Sequence, residues 1–95
     1  MIDIEINKAL ALAIGWEHIG LSALKEDAVC VRDVDGWWHT FDYRDWNVIG
    51  PIAEKYNCFP KHINSMWEIA HYGEIYRADT PQRAIAMAVI QGVRK

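Results

Sequence analysis

Apolar residues recur at Ile2, Ile6, Leu10, Ala13 and Ile14, every third or fourth position, and the run stops at Gly15. That spacing lines one face of an amphipathic helix. It predicts a helix over residues 4–14, capped by Asp3 and closed by Gly15 in a left-handed turn. Trp16 then folds back on the core. Residues 17–27 show no period and are broken by Gly20, which predicts a loop.

Residues 28–34 are rich in β-branched side chains and predict a strand. Asp35-Gly36 predicts a hairpin turn, with residues 37–41 as the return strand. Asp42, Asp45 and Asn47 are candidate caps for a second helix over residues 46–56, with Trp46, Ile49, Ile52, Ala53 and Tyr56 on its apolar face. Pro51 fits best if the regular helix starts near Val48. Residues 57–64 read as a connector. Residues 65–70 and 74–78 predict two short strands joined through Tyr72-Gly73. Asp79-Thr80-Pro81 marks a helix start, because proline at the first helical position loses no hydrogen bond. The last helix, over residues 81–93, has Ala84, Ile85, Ala88, Val89 and Gly92 on one face and Met87 and Ile90 off it. It is apolar nearly all round, so it is either deeply buried or packed against a second surface.

The expected fold class is α+β: one domain over residues 1–95, in the order α-ββ-α-ββ-α. A mainly antiparallel sheet of about four strands carries the helices packed on it. The two long amphipathic helices are placed on one face and the third opposite. Gly36 to Asp42 and Gly73 to Asp79 have the same spacing. Two ββα units are one reading of it; the ordinary chemistry of turns and caps is the other.

Composition narrows the function classes. The 95 residues are 52% hydrophobic and 24% charged, an ordinary globular balance that excludes disorder as the main state. Ten Lys and Arg against thirteen Asp and Glu leave a net charge of −3. A nucleic-acid binder needs a basic footprint, and only Arg77, Arg83, Arg94 and Lys95 supply a local one. Nucleic acid is therefore not the expected partner. No apolar run reaches the ~20 residues needed to span a bilayer, and the first residues lack the pattern of a secretory signal. The expected location is the cytoplasm, with no membrane partner. Cys30 and Cys58 have no zinc-ligand spacing, and read as buried thiols more readily than as a disulfide.

No catalytic pattern is expected. His18, His39, His62 and His71 do not pair at metal spacing, although His39 lies near Asp42. Asp33, Asp35, Asp42 and Asp45 cluster around the hairpin, where each has a turn or cap to serve. The six glycines are dispersed and form no phosphate loop. No cofactor and no metal site is expected, and the chain is not read as an enzyme.

The aromatic residues are the informative feature: five Trp, four Tyr and two Phe. Trp16, Trp46 and Trp67 read as core. Trp37 and Trp38 are adjacent on a strand, so they point to opposite faces and one leaves the helix-covered side. That indole is either an exposed binding anchor or a ring covered by the third helix. Tyr43, Tyr72 and Tyr76 extend the candidate protein-binding patch.

Residues 6–16, ending Ile14-Gly15-Trp16, with Tyr43-Arg44-Asp45-Trp46, Gly50-Pro51-Ile52, Trp67 and Ala78-Asp79-Thr80-Pro81, resemble small phage and prophage proteins. The likeness is to the phage ABA sandwich domain family and, more loosely, to NinX-like proteins. It spans nearly the whole chain and contains no catalytic motif. It implies a phage or prophage product acting in a bacterial host. The expected function is a protein-binding module for a host or phage protein, such as an anti-CRISPR-like inhibitor of a host defence protein. The alternative is an antitoxin-like or nucleic-acid-associated regulator, since residues 74–88 are similar to a HicB-type antitoxin. A homodimer through the last helix or the hairpin edge is compatible with either.

Overall fold

The computed structural model describes residues 1–71 and 73–94, with the side chain of Arg94 left aside. Three helices and six strands follow in order: α1 (Asp3–Ala13), β1 (Ile19–Leu21), β2 (Val29–Arg32), β3 (Trp38–Phe41), α2 (Trp46–Tyr56), β4 (Lys61–Ile63), β5 (Met66–His71), β6 (Glu74–Ala78) and α3 (Pro81–Arg94). The class is α+β as expected. The single four-stranded sheet is not what forms. The strands build two separate antiparallel meanders, β1-β2-β3 and β4-β5-β6. The predicted loop contains β1 and the predicted connector contains β4.

The helices also sit differently from expectation. Instead of lying on the faces of one sheet, they lie between two. α3 packs against α1 and α2 and against β5 and β6, while α1 packs against β2. The layers therefore run first sheet, α1, α3, second sheet, and the molecule is elongated, 41 by 25 by 21 Å. The cause is in α3. Ala84, Ile85, Ala86, Ala88, Val89 and Ile90 point in every direction around its axis, and all are buried. One sheet can cover one side of a helix; this one needs cover on all sides. Burial of each large side chain contributes about 1.5–3 kcal/mol, so the central position of α3 dominates the core.

Local chemistry sets the element ends. In α1 the N-cap is Ile2, one residue before the expected Asp3. An isoleucine side chain cannot accept a hydrogen bond, so only the return half of a capping box forms: the Glu5 carboxylate accepts from the Ile2 N–H at 3.2 Å. α2 starts at Trp46, with Asp45 accepting from the Asn47 N–H at 2.9 Å. Pro51 therefore lies in its second turn, not its first. It forgoes one bond to the Asn47 carbonyl, on a side where both residues are exposed to water. At α3, Thr80 is the cap: its hydroxyl accepts from the Arg83 N–H at 3.2 Å, one residue before Pro81.

Two turns shape the hairpins. Asn64 and Ser65 both have positive φ, 51° and 66°, and form a two-residue turn between β4 and β5. Between β2 and β3 the loop is three residues, 34–36. The Gly36 N–H donates to the Asp33 carbonyl at 3.1 Å, and the Asp33 N–H donates to the Trp37 carbonyl at 2.9 Å. Gly36 has φ +88°, a left-handed conformation that costs other residues energy.

Candidate interaction surface

The β2–β3 hairpin is held by one carboxylate. Asp33 Oδ1 accepts from the N–H groups of Asp35 and Trp37, each at 3.0 Å. Asp33 Oδ2 meets His39 Nε2 at 2.6 Å. The His39 contact, then the backbone donors, hold this carboxyl below the usual aspartate range. His39 thus pairs with Asp33, not with Asp42. Both residues serve to order the turn that presents Trp37.

The two indoles at the end of this hairpin are both exposed, Trp37 by 71% and Trp38 by 53%. The expectation of one exposed ring was too conservative. The first sheet meets its helix, α1, on only one face, and that face is filled by Val29, Val31 and Phe41. Trp38 shares the opposite face with Arg32, Cys30 and Gly20. The Arg32 guanidinium lies 5.9 Å from the Trp38 ring centroid, a cation–π distance. Gly20 lies beneath this face: a Cβ there would crowd Cys30 Sγ at 3.3 Å and would touch Trp38 Cζ3 only at an ordinary 4.0 Å. Trp37 shares its side of the strand with His39 and Phe41, but lies beyond the helix that covers Phe41. Val34 at the hairpin tip is fully exposed too.

The rest of the expected patch does not assemble. Tyr43 is 2% exposed and its hydroxyl donates to Asp3. Burial first, then this carboxylate, push its ionisation well above the ordinary range. It belongs to the core, not to a surface. Tyr76 is half-buried against the core in the second sheet, with its hydroxyl donating to Glu74 at 2.8 Å. Tyr72 falls outside the described residues. Trp46, expected in the core, is 52% exposed because it occupies the first position of α2. Trp16 and Trp67 pack against the core as expected.

Asp42 anchors a buried network instead of a reactive site. Its carboxylate receives Lys25 at 2.6 Å, Arg44 Nε at 2.9 Å and Asn7 Nδ2 at 3.3 Å. Burial alone would raise this carboxyl; the donors outweigh it and hold the group far below the usual range. Asn7 also accepts from the Tyr43 N–H at 2.7 Å and donates to the Asp27 carbonyl at 2.9 Å. It is an asparagine inside an apolar helix stripe, and that signal in the sequence marked a buried polar bridge that pattern reading passed over.

A pocket of about 520 Å³ opens beside the hairpin turn, lined by Gly15, Trp16, His18, Arg32, Asp33 and Gly36 among others. The sequence pattern does not show it, since its walls come from the segment after α1 and from the β2–β3 turn. Among the described residues no group of His, Cys, Asp and Glu could hold a metal ion. Cys30 and Cys58 are both free thiols. Cys58 is buried, which raises its thiol above the ordinary range and makes it a poor nucleophile. Of the basic residues, Arg77 pairs with Glu68 and Arg83 with Asp3 and the Met1 carbonyl, on separate elements. Lys95 and the side chain of Arg94 lie outside the described residues. Among those described, no helix is long and apolar enough to cross a membrane.

Comparison with protein-family models, with curated proteins and with solved structures gives no match.

Proposed function

We propose that this chain is a protein-binding module whose contact surface is the β2–β3 hairpin, with Trp37 and Trp38 as anchors. The observation that carries this reading is the exposure of two adjacent indoles on a hairpin whose turn is fixed by Asp33. Water-exposed tryptophan is costly to keep on a soluble surface, and tryptophan is enriched among the few residues that dominate protein interfaces. A fixed turn lowers the ordering cost of binding. The pocket beside Trp16 and Arg32 gives a partner side chain a place to enter next to the anchors.

The likeness of the sequence to phage and prophage proteins supports a bacterial setting. There the module would occlude a site on a host or phage protein, as an anti-CRISPR-like inhibitor does. The antitoxin-like or nucleic-acid reading gains no support from Arg77 and Arg83, each of which is neutralised within its own neighbourhood.

The test is affinity capture from bacterial lysate by the wild type and by the Trp37→Ala/Trp38→Ala variant. A protein found by the wild type is then purified and titrated with both. Loss of about 2 kcal/mol or more, near thirtyfold in Kd, is expected for the double variant. Equal binding by the two proteins would overturn the assignment of the surface. Nuclease-sensitive recovery would favour the regulator instead.

A further inference from the structure

We propose that the outer edge of β3 pairs with β3 of a second copy, antiparallel and about a two-fold axis through His39, to make one continuous six-stranded sheet. In an antiparallel ladder, residues bond to the neighbouring strand at alternate positions. The Asp33 N–H bonds to the Trp37 carbonyl, and Asp33 is opposite Trp37 in the β2–β3 register. His39 and Phe41 therefore also face β2. Trp38 and Thr40 turn their N–H and C=O groups outward, to the edge. The β1–β2 ladder agrees, because the Arg32 N–H bonds away from β3, to the His18 carbonyl at 3.1 Å.

Two outward residues separated by one make the edge self-complementary. With His39 opposite His39 of the second copy, Trp38 faces Thr40 of the second copy on both sides of the axis. All four backbone bonds then form within strand residues. A register centred on Trp38 or on Thr40 would make only one such residue pair. The same axis sets each Trp38 beside a Thr40 of the second copy on one face; on the other, Trp37 takes the position opposite Phe41, whose ring is already buried in the core. Aromatic and threonine pairs of this kind stabilise antiparallel strands.

Charge and area also single out this edge. Edge strands are normally protected by charged residues or proline. β4 carries Lys61, and β6 carries Glu74 and Arg77. β1 is only three residues long with Gly20 at its centre. β3, Trp-His-Thr-Phe, has no proline, and its one titratable group is already matched by Asp33. A protein of net charge −3 can approach its copy there without opposing like charges. The exposed parts of Trp37 and Trp38 amount to roughly 250–300 Å² per copy, of which edge pairing covers a part. A standard interface takes about 800 Å² per partner, and the two strands and the hairpin tips provide the remainder only in part. The dimer therefore belongs with the small, transient interfaces.

The dimer covers part of the same hairpin as the proposed partner site, and a variant separates the two. Thr40→Pro removes an outward N–H, costs no bond within the sheet, and leaves both indoles in place. Sedimentation velocity from micromolar to near-millimolar concentration should show the wild type passing from monomer to dimer. Thr40→Pro should weaken the dimer about tenfold or more, since two of four bonds go. In a Cys30→Ser background, His39→Cys should form a disulfide-linked dimer on mild oxidation, because the two residues meet on the axis. Val34→Cys at the hairpin tip should not. Circular dichroism checks folding; if Thr40→Pro does not fold, the His39→Cys result decides alone. A wild type that stays monomeric at near-millimolar concentration overturns the proposal. So does a dimer that Thr40→Pro leaves unchanged and His39→Cys fails to link.

Discussion

Asn7 and Asp42 are 35 positions apart in the chain, yet Asn7 Nδ2 lies 3.3 Å from Asp42 Oδ1 in the interior, with neither side chain reaching water. The same amide group holds the Tyr43 N–H and the Asp27 carbonyl. One asparagine thereby joins α1 to the segment before β2 and to the segment after β3. Asn7→Leu keeps the branching of the side chain and removes every one of these bonds. A buried group left without its partner costs about 1–3 kcal/mol. We expect Asn7→Leu to lower unfolding free energy by about 3 kcal/mol in urea titration. A change within ~0.5 kcal/mol would show that the network is not structural.

Acid sensitivity should centre on Asp42. Its carboxyl is held below the ordinary aspartate value of 3.8 in the folded chain. A depressed folded value means stability that is complete above the unfolded value and lost as pH falls toward the folded one. The stability difference between wild type and Asp42→Asn should therefore be largest near neutral pH and shrink below about pH 4. Urea midpoints across that range measure it. A difference that stays constant down to about pH 2 would exclude the linkage.

Exposure separates the tryptophans by what their loss costs. Trp37→Ala removes little packing and should change stability by less than about 0.5 kcal/mol. Trp67 packs against the core and its ring meets His62 at 4.8 Å between centroids. Trp67→Ala should cost about 3 kcal/mol. Thermal or chemical unfolding of the two variants side by side gives the contrast. Comparable losses would mean that Trp37 is not a free surface ring.

The hairpin turn can be loosened without touching an indole. Gly36→Ala meets no neighbouring atom within 4 Å, so its cost is the positive φ alone. That is about 1–2 kcal/mol. Amide hydrogen exchange at Trp37 and Asp35, whose N–H groups Asp33 holds, should accelerate more than exchange in α3. Uniform acceleration would show that the hairpin does not open on its own.

Much of the chain was legible where one local rule decides. α2 occupies Trp46–Tyr56 as its spacing and Asp45 indicate, and β6 occupies Glu74–Ala78. The Pro81 start of α3 follows from capping chemistry. β1 and β4 were not legible, because three-residue strands carry no period and exist through their pairing with β2 and β5. The Asn64-Ser65 turn hid β4 further, since serine at positive φ is not a hairpin signature. Trp46 was misplaced because a helix-face pattern does not know which helix end reaches solvent. Tyr43 was misplaced for the opposite reason. A tyrosine among Asp and Arg reads as surface, and only the fold brings Asp3 to its hydroxyl. The apolar circumference of α3 calls for deep burial or a second packing surface; that this surface is a second sheet depends on the pairing of β4 and β6 with β5.

The element around which the others pack is the one that follows them all in chain order. Both sheets, α1 and α2 precede α3, and the two sheets share no main packing contact without it. As the polypeptide leaves the ribosome, each meander can close its hairpins and the first can lay its apolar side on α1, but α1 and the second sheet still lack the helix that lies between them. Consolidation must wait until residues 84–90 have cleared the exit tunnel. Until then Trp37 and Trp38 are only two among many uncovered apolar side chains; afterwards they are the two most exposed of the five tryptophans.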